Sequence, residues 1–118
     1  MVDLKPQIAA LLENEANVGL SYNRNENPLP FICLTETDNS ARIVINGQDR
    51  VSSIVIQLDL YGETPRETEE LAARVSALLT EKGGKRSFSQ LITDERTPRR
   101  CMRFTFFADE AEGRIVSL

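Results

Sequence analysis

The chain has 118 residues, 41% of them hydrophobic and 27% charged, with a formal net charge of −4. That length supports one hydrophobic core without disulfide or metal staples, so a single domain over residues 1–118 is expected. There is no histidine, which excludes His-based general base catalysis and the usual metal sites, and the acidic balance argues against a general polyanion binder.

Apolar runs such as Ile54-Val55-Ile56 fall far short of a membrane span, so no membrane partner is expected. The first six residues lack the basic start and apolar stretch of a signal peptide, which reads as an intracellular product. Cys33 and Cys101 show no CxxC spacing and each falls inside an expected strand. They read as buried reduced thiols, and an intracellular setting disfavours a disulfide between them.

In chain order, Asp3 is placed to cap a first helix, and Pro6 is tolerated because first-turn N–H groups have no intrahelical partner. Leu4, Ile8, Leu11 and Leu12 give that helix an apolar face, and it should fade across residues 14–17. Residues 19–30, rich in Asn and closed by Pro28-Leu29-Pro30, read as a surface loop with a short strand around residues 18–22. Residues 31–37 form a second β segment, which Asp38-Asn39-Ser40 should break. Ala41 to Ile45, then Asn46-Gly47, then Gln48 to Val51 carry a strong hairpin signal, because a type I′ turn needs positive φ at both central residues. If the hairpin runs on into the next strand, residues 42–45 project as a ribbon beyond the sheet.

Residues 51–84 carry the clearest pattern in the chain. Ile54, Ile56, Leu58 and Leu60 alternate with Ser53, Gln57, Asp59 and Tyr61 on the opposite face, the period of a half-buried strand. Gly62-Glu63 turns the chain. Thr64 then caps a helix, with Pro65 at its first position and Glu67 closing a capping box. Leu71, Val75, Leu78 and Leu79 form its apolar stripe, and Gly83-Gly84 ends it. Residues 85–92 read as a weak strand, residues 93–98 as a polar loop, and residues 109–113 as a charged turn. Residues 100–108 form a strand with Met102, Phe104 and Phe106 on one face, and residues 114–118 a last edge strand. The order predicts an α+β fold. It has an antiparallel or mixed sheet of about four to five strands, two helices packed on one face, and a projecting β-hairpin.

Several charged groups suggest sites. Glu67, Glu69 and Glu70 crowd the start of the second helix, where negative charge is stabilising and Glu70 is spaced to pair with Arg74. Asp109, Glu110 and Glu112 lack the glycine and aspartate spacing of a calcium loop and read as a solvated turn. Arg96, Arg99, Arg100 and Arg103 cluster before and within the last long strand, and arginine suits bidentate pairing with carboxylate or phosphate. Solvated surface, protein interface and nucleic-acid contact all remain open for this cluster. The ribbon bearing Arg42, Ile43, Ile45, Asn46 and Gly47 reads either as a hairpin packed back on the sheet or as an assembly arm with strand edges to offer. No catalytic constellation, cofactor or metal site is expected.

The layout resembles the tail terminator and head–tail completion proteins of tailed bacteriophages. The matching pieces are the short helix over residues 4–12, the loop ending Leu29-Pro30-Phe31-Ile32, and the long strand ending Gln57-Leu58-Asp59-Leu60-Tyr61-Gly62. The helix opened by Thr64-Pro65 and the arginine-led strand over residues 100–107 complete the match. The resemblance implies a structural, non-enzymatic subunit that assembles with itself into a ring, often a hexamer. The ring would sit at the capsid-proximal end of the tail tube, in the virion tail and, during assembly, in the host cytoplasm. Its partners would be the tail tube protein and head–tail connector proteins, with DNA only as passing cargo. By position, residues 42–48 would face the lumen or a neighbouring ring. Self-association is then expected through strand edges or through the arginine cluster with Arg99, Arg100 and Arg103. The alternatives are a small nucleic-acid-binding or protein-adaptor module and, with the fewest supporting residues, an enzyme.

Overall fold

The computed structural model describes residues 1–92 and 96–117. In chain order it contains α1 (Lys5–Leu12), β1 (Asn17–Gly19), β2 (Phe31–Ile45), β3 (Gln48–Tyr61), α2 (Pro65–Glu81), β4 (Lys85–Ile92), β5 (Arg99–Asp109) and β6 (Ile115–Val116). The strands form one six-stranded sheet in the order β1-β2-β3-β5-β4, with β6 paired to β5. β1 runs parallel to β2 and every other pair is antiparallel, so the fold is α+β with a mixed sheet.

The centre of the sheet follows from the period-two pattern of β3. Ile54, Ile56, Leu58 and Leu60 are all fully buried. In β5, Phe106, Phe104 and Met102 stand opposite the first three, and in β2 Leu34 and Ile32 stand opposite Leu58 and Leu60. Ile8 and Leu12 of α1 and Leu71, Val75 and Leu79 of α2 join the same apolar cluster. Each such side chain contributes about 1.5–3 kcal/mol by transfer out of water, so this cluster dominates the stability of the domain.

The turn from β3 into α2 is built tightly. The Thr64 hydroxyl oxygen accepts the Glu67 N–H at 3.1 Å, which is half of the expected capping box, and the Thr68 hydroxyl donates to the Thr64 carbonyl at 2.9 Å. Gly62 packs so closely against the Thr68 hydroxyl and its backbone nitrogen that no Cβ fits there. Thr64→Ala should cost about 1 kcal/mol of stability, the usual worth of an N-cap. Chemical denaturation measures this directly, and an unchanged midpoint would show that packing alone sets the start of α2. At the other end Gly83 takes φ +101° and Gly84 lies against the Phe106 ring, where a Cβ would come within 2.8 Å.

Three expectations are corrected. Asp3 is not the N-cap of α1: Leu4 holds that position, and the Asp3 carboxylate accepts the Lys5 N–H at 3.1 Å. β2 is not broken at Asp38-Asn39-Ser40. It runs on to Ile45 through register shifts between Glu36 and Asp38, between Ala41 and Ile43, and between Ile43 and Val44. Bulges absorb the polar residues that propensity alone assigns to a break. Glu70 pairs with Arg66 at 3.0 Å rather than with Arg74, which reaches Glu15 on the α1 side at 2.9 Å. Of the polar loop expected over residues 93–98, residues 93–95 lie outside the described residues, as does Leu118 of the last expected strand.

Candidate functional site

β2 and β3 stay paired to Ile45 and Gln48, and Asn46 and Gly47 connect them with φ of +53° and +75°. Both values lie in the left-handed region that Asn and Gly tolerate best, which is why this dipeptide stands here. The pairing of β3 with β5 begins only at Val51 opposite Asp109, so among the described residues no third strand pairs with the last residues of the β2–β3 pair. Residues 41–50 are all exposed, and Ile43, Val44 and Ile45 keep 38%, 54% and 49% of their surface in water. Arg42 lies beside them, also exposed. At a rise of about 3.3 Å per residue, residues 41–46 add roughly 17 Å of ribbon. The long axis of the molecule is 50 Å against 24 Å for the other two. The radius of gyration, 14.9 Å, exceeds the roughly 13.5 Å of a compact domain of this length.

The root of this ribbon is clamped. The Glu110 N–H donates to the Arg50 carbonyl at 3.0 Å, and the Glu110 carboxylate accepts from the hydroxyl of buried Ser52 and pairs with the terminal amine of Met1 at 3.3 Å. On the other strand, the Asn39 amide donates to the Val2 carbonyl at 3.0 Å and to Glu36 at 2.9 Å. The Ser52 hydrogen bond, helped by the terminal amine, holds the Glu110 carboxyl below its ordinary value. The stabilisation that follows from this lowering is present above the unfolded carboxyl range and disappears as pH falls through the folded value. Stability should therefore fall on acidification below about pH 4.5, and Glu110→Gln should flatten that part of the profile in urea titrations run at several pH values.

The arginine cluster of the sequence does not form one patch. Neighbouring residues of a strand face opposite sides, and β5 separates them accordingly. Arg99 donates to buried Asp59 at 3.2 Å on one side of the sheet. Arg100 donates to Glu69 of α2 at 2.6 Å and to Ser89 at 2.8 Å on the other. Arg103, exposed, shares the Arg99 side, where it donates to Gln57 at 3.1 Å and its guanidinium lies 5.0 Å from the Phe88 ring centre. Arg96 is exposed in the connection before β5. Arg99 and Arg100 are thus engaged within the chain, while Arg42 and Arg103 reach the surface.

Asp59 is the polar centre that sequence reasoning missed. Cys33 of β2 and Cys101 of β5 stand opposite it on its two sides, and Gln57 donates to it at 3.1 Å. Both thiols are free, Cys101 buried and Cys33 half-buried. Burial pushes both thiols up, and the Asp59 carboxylate adds to the shift. They remain protonated near neutral pH and are poor nucleophiles there. Burial and the same carboxylate also raise Tyr61. The signal in the sequence is a single aspartate inside an otherwise apolar strand end, which demands a partner. The partner lies 40 residues away and is invisible to local patterns.

An open depression of about 490 Å³ lies between α2 and β4, lined by Ala73, Ser76, Arg86, Met102 and the Glu69–Arg100 pair. It brings one carboxylate, already held by an arginine. Among the described residues no group of three or more acidic or cysteine side chains is placed to hold a metal ion, and no helix is long and apolar enough to cross a membrane. Neither the protein-family models nor the curated proteins give a match to this chain.

Proposed function

We propose that the chain is a structural subunit of tailed-bacteriophage assembly, a tail terminator or head–tail joining protein. In this reading it closes with its own copies into a ring, hexameric by the family resemblance, at the capsid-proximal end of the tail tube. Two helices cover one face of the sheet and the β2–β3 hairpin projects as an assembly arm. The observation that carries the reading is that arm. A two-stranded ribbon standing alone is marginal in water, yet this one places three aliphatic side chains at its tip in solvent. Such a feature is explained by a partner that covers it. Arg42, Ile43, Ile45, Asn46 and Gly47 form the interface, joined by surface Arg103, while Arg99 and Arg100 serve the fold. The partners are further copies of the chain, the tail tube protein and the head–tail connector, with DNA passing through the ring. The site of action is the virion tail, reached from the host cytoplasm.

Incubation with tail tubes that lack a terminator tests the function. Negative-stain images should show one end of each tube capped and further elongation stopped. Tubes that stay uncapped and keep growing would overturn the assignment.

One observation favours a second reading, a nucleic-acid-binding module. Arg103 over Phe88 and Lys85 over Phe107 set cations against aromatic rings on one side of the sheet. That reading requires DNA or RNA binding that weakens with salt, with a log–log slope near −0.9 per phosphate contact on duplex DNA. No binding at low ionic strength removes it.

A further inference from the structure

The ring reading leaves open which surface receives the arm. Among the described residues the chain leaves large hydrophobic side chains in water at few places. Apart from Met1 they are Leu20, the tip residues Ile43, Val44 and Ile45, and Phe88, which has the Arg103 guanidinium over its ring. The bare aliphatic surface therefore falls at two positions, the arm tip and the neighbourhood of Leu20, which is 65% exposed.

Leu20 stands on the lip of an open cavity of about 290 Å³ between α1 and β1, lined by Pro6, Ala9, Val18 and Leu34, with the Asp3–Lys5 ion pair (3.1 Å) beside it. At about 30 Å³ per water in the liquid, that space holds roughly ten waters, or two aliphatic side chains of isoleucine size. β1 is the terminal strand of the sheet, and no strand pairs with its outer edge among the described residues. The site thus offers an apolar socket beside unpaired backbone groups, the combination that an added β-strand requires. At the socket itself Asp3 and Lys5 cancel, so the charge bias comes from the wider segment: residues 41–50 carry Arg42 and Arg50 against Asp49, whereas residues 1–30 carry Asp3, Glu13, Glu15 and Glu26 against Lys5 and Arg24.

We propose that the Ile43–Ile45 tip of one subunit docks on the β1 edge of a second copy of this chain, seating its aliphatic side chains in the cavity beside Leu20. The proposal rests on the ring reading and names the socket for it. The arm cannot fill its own socket, because it is the direct continuation of β2 and β3 and residues 41–50 lie exposed beyond the body of the sheet. Arm and socket are different surfaces, so the contact is head-to-tail, and repeating it generates a closed ring when the rotation per subunit closes.

The test uses the full chain. Leu20 and Ile45 are exposed, so Leu20→Ser and Ile45→Ser leave the core untouched. Each should raise the concentration at which assembly is half complete by about tenfold or more, the loss expected from one exposed-to-buried aliphatic side chain. Light scattering reads the assembly and thermal melts check the fold. In parallel, Leu20→Cys protein is mixed with differently tagged Ile45→Cys protein and oxidised, with the wild type and each variant alone as baselines for Cys33 and Cys101. The expected result is a mixed disulfide dimer that requires both variants, together with weakened assembly of both serine variants. Wild-type assembly that persists unchanged in both serine variants, with no mixed disulfide, overturns the socket and leaves the ring closed by another surface. Wild-type protein that stays monomeric, with no mixed disulfide between the two cysteine variants, overturns the ring reading and the socket together.

Discussion

Arg99→Glu should destabilise the domain by about 3 kcal/mol, lowering its melting temperature by roughly 10 °C or more. Asp59 is 6% exposed, and the Arg99 guanidinium 3.2 Å away is a cation balancing its charge. Reversing that charge sets two carboxylates against each other on a partly desolvated sheet surface, where one must take up a proton or the pair must separate. The neighbouring Cys33 and Cys101 thiols offer no compensating charge. Arg99→Lys should recover much of the loss. Combining Arg99→Gln with Asp59→Asn should cost less than the sum of the two single changes, because each alone strands its partner. Arg100→Glu should cost less than Arg99→Glu, since its partner Glu69 is far more exposed than Asp59. A melting temperature for Arg99→Glu within a degree of wild type would show that the ion pair is dispensable to the fold and would return Arg99 to the list of interface candidates. The consequence for assembly studies is direct. Loss of a ring after charge reversal at Arg99 and Arg100 would report on folding first, so the arm is the proper place to perturb association.

Phe106→Ala should cost about 3–5 kcal/mol, the range for removing a fully buried aromatic side chain. Phe106 stands opposite Ile54 in the middle of the sheet, with Phe104 at a ring separation of 6.4 Å and Gly84 pressed against its edge. Backbone lies on that side, so the cavity cannot collapse by a simple side-chain rotation, and the cost falls toward the upper part of the range. Phe106→Leu should recover more than half of it. The informative comparison is with Ile45→Ser at the arm tip, which should leave the unfolding midpoint of the isolated chain within about 0.5 kcal/mol of wild type, as exposed positions do. Urea denaturation of both variants reads the contrast. Equal losses at the two positions would mean that the arm packs as part of the core, and its assignment to assembly would fail.

The parts of the fold legible in the sequence are those governed by local rules. β3 announces itself through strict alternation, and α2 through Thr64, Pro65 and the Leu71-Val75-Leu79 spacing, because caps and periodicity act over a few residues. The Asn46-Gly47 connection is legible for the same reason, since it needs two positive φ values. What was not legible depends on partners distant in the chain. The bulges that carry β2 through Asp38-Asn39-Ser40 exist because β3 continues beside them, and nothing in that tripeptide says so. The parallel docking of β1, and the insertion of β5 between β3 and β4, are tertiary choices. The Arg99–Asp59 and Arg74–Glu15 pairs join residues 40 and 59 apart. The division of Arg99 from Arg100 was within reach, because adjacent strand residues face opposite ways. Grouping the arginines by composition concealed it. For the site, the exposed aliphatic tip could be read from Ile43, Val44 and Ile45 around an Asn-Gly turn. The clamp of Glu110 on Ser52 and Arg50 could not.

Self-assembly of this chain through its arm is tested most directly by size-exclusion chromatography with light scattering over a wide concentration range. A discrete hexamer-sized species, populated as concentration rises, is the predicted result. A strict monomer at every concentration would contradict it.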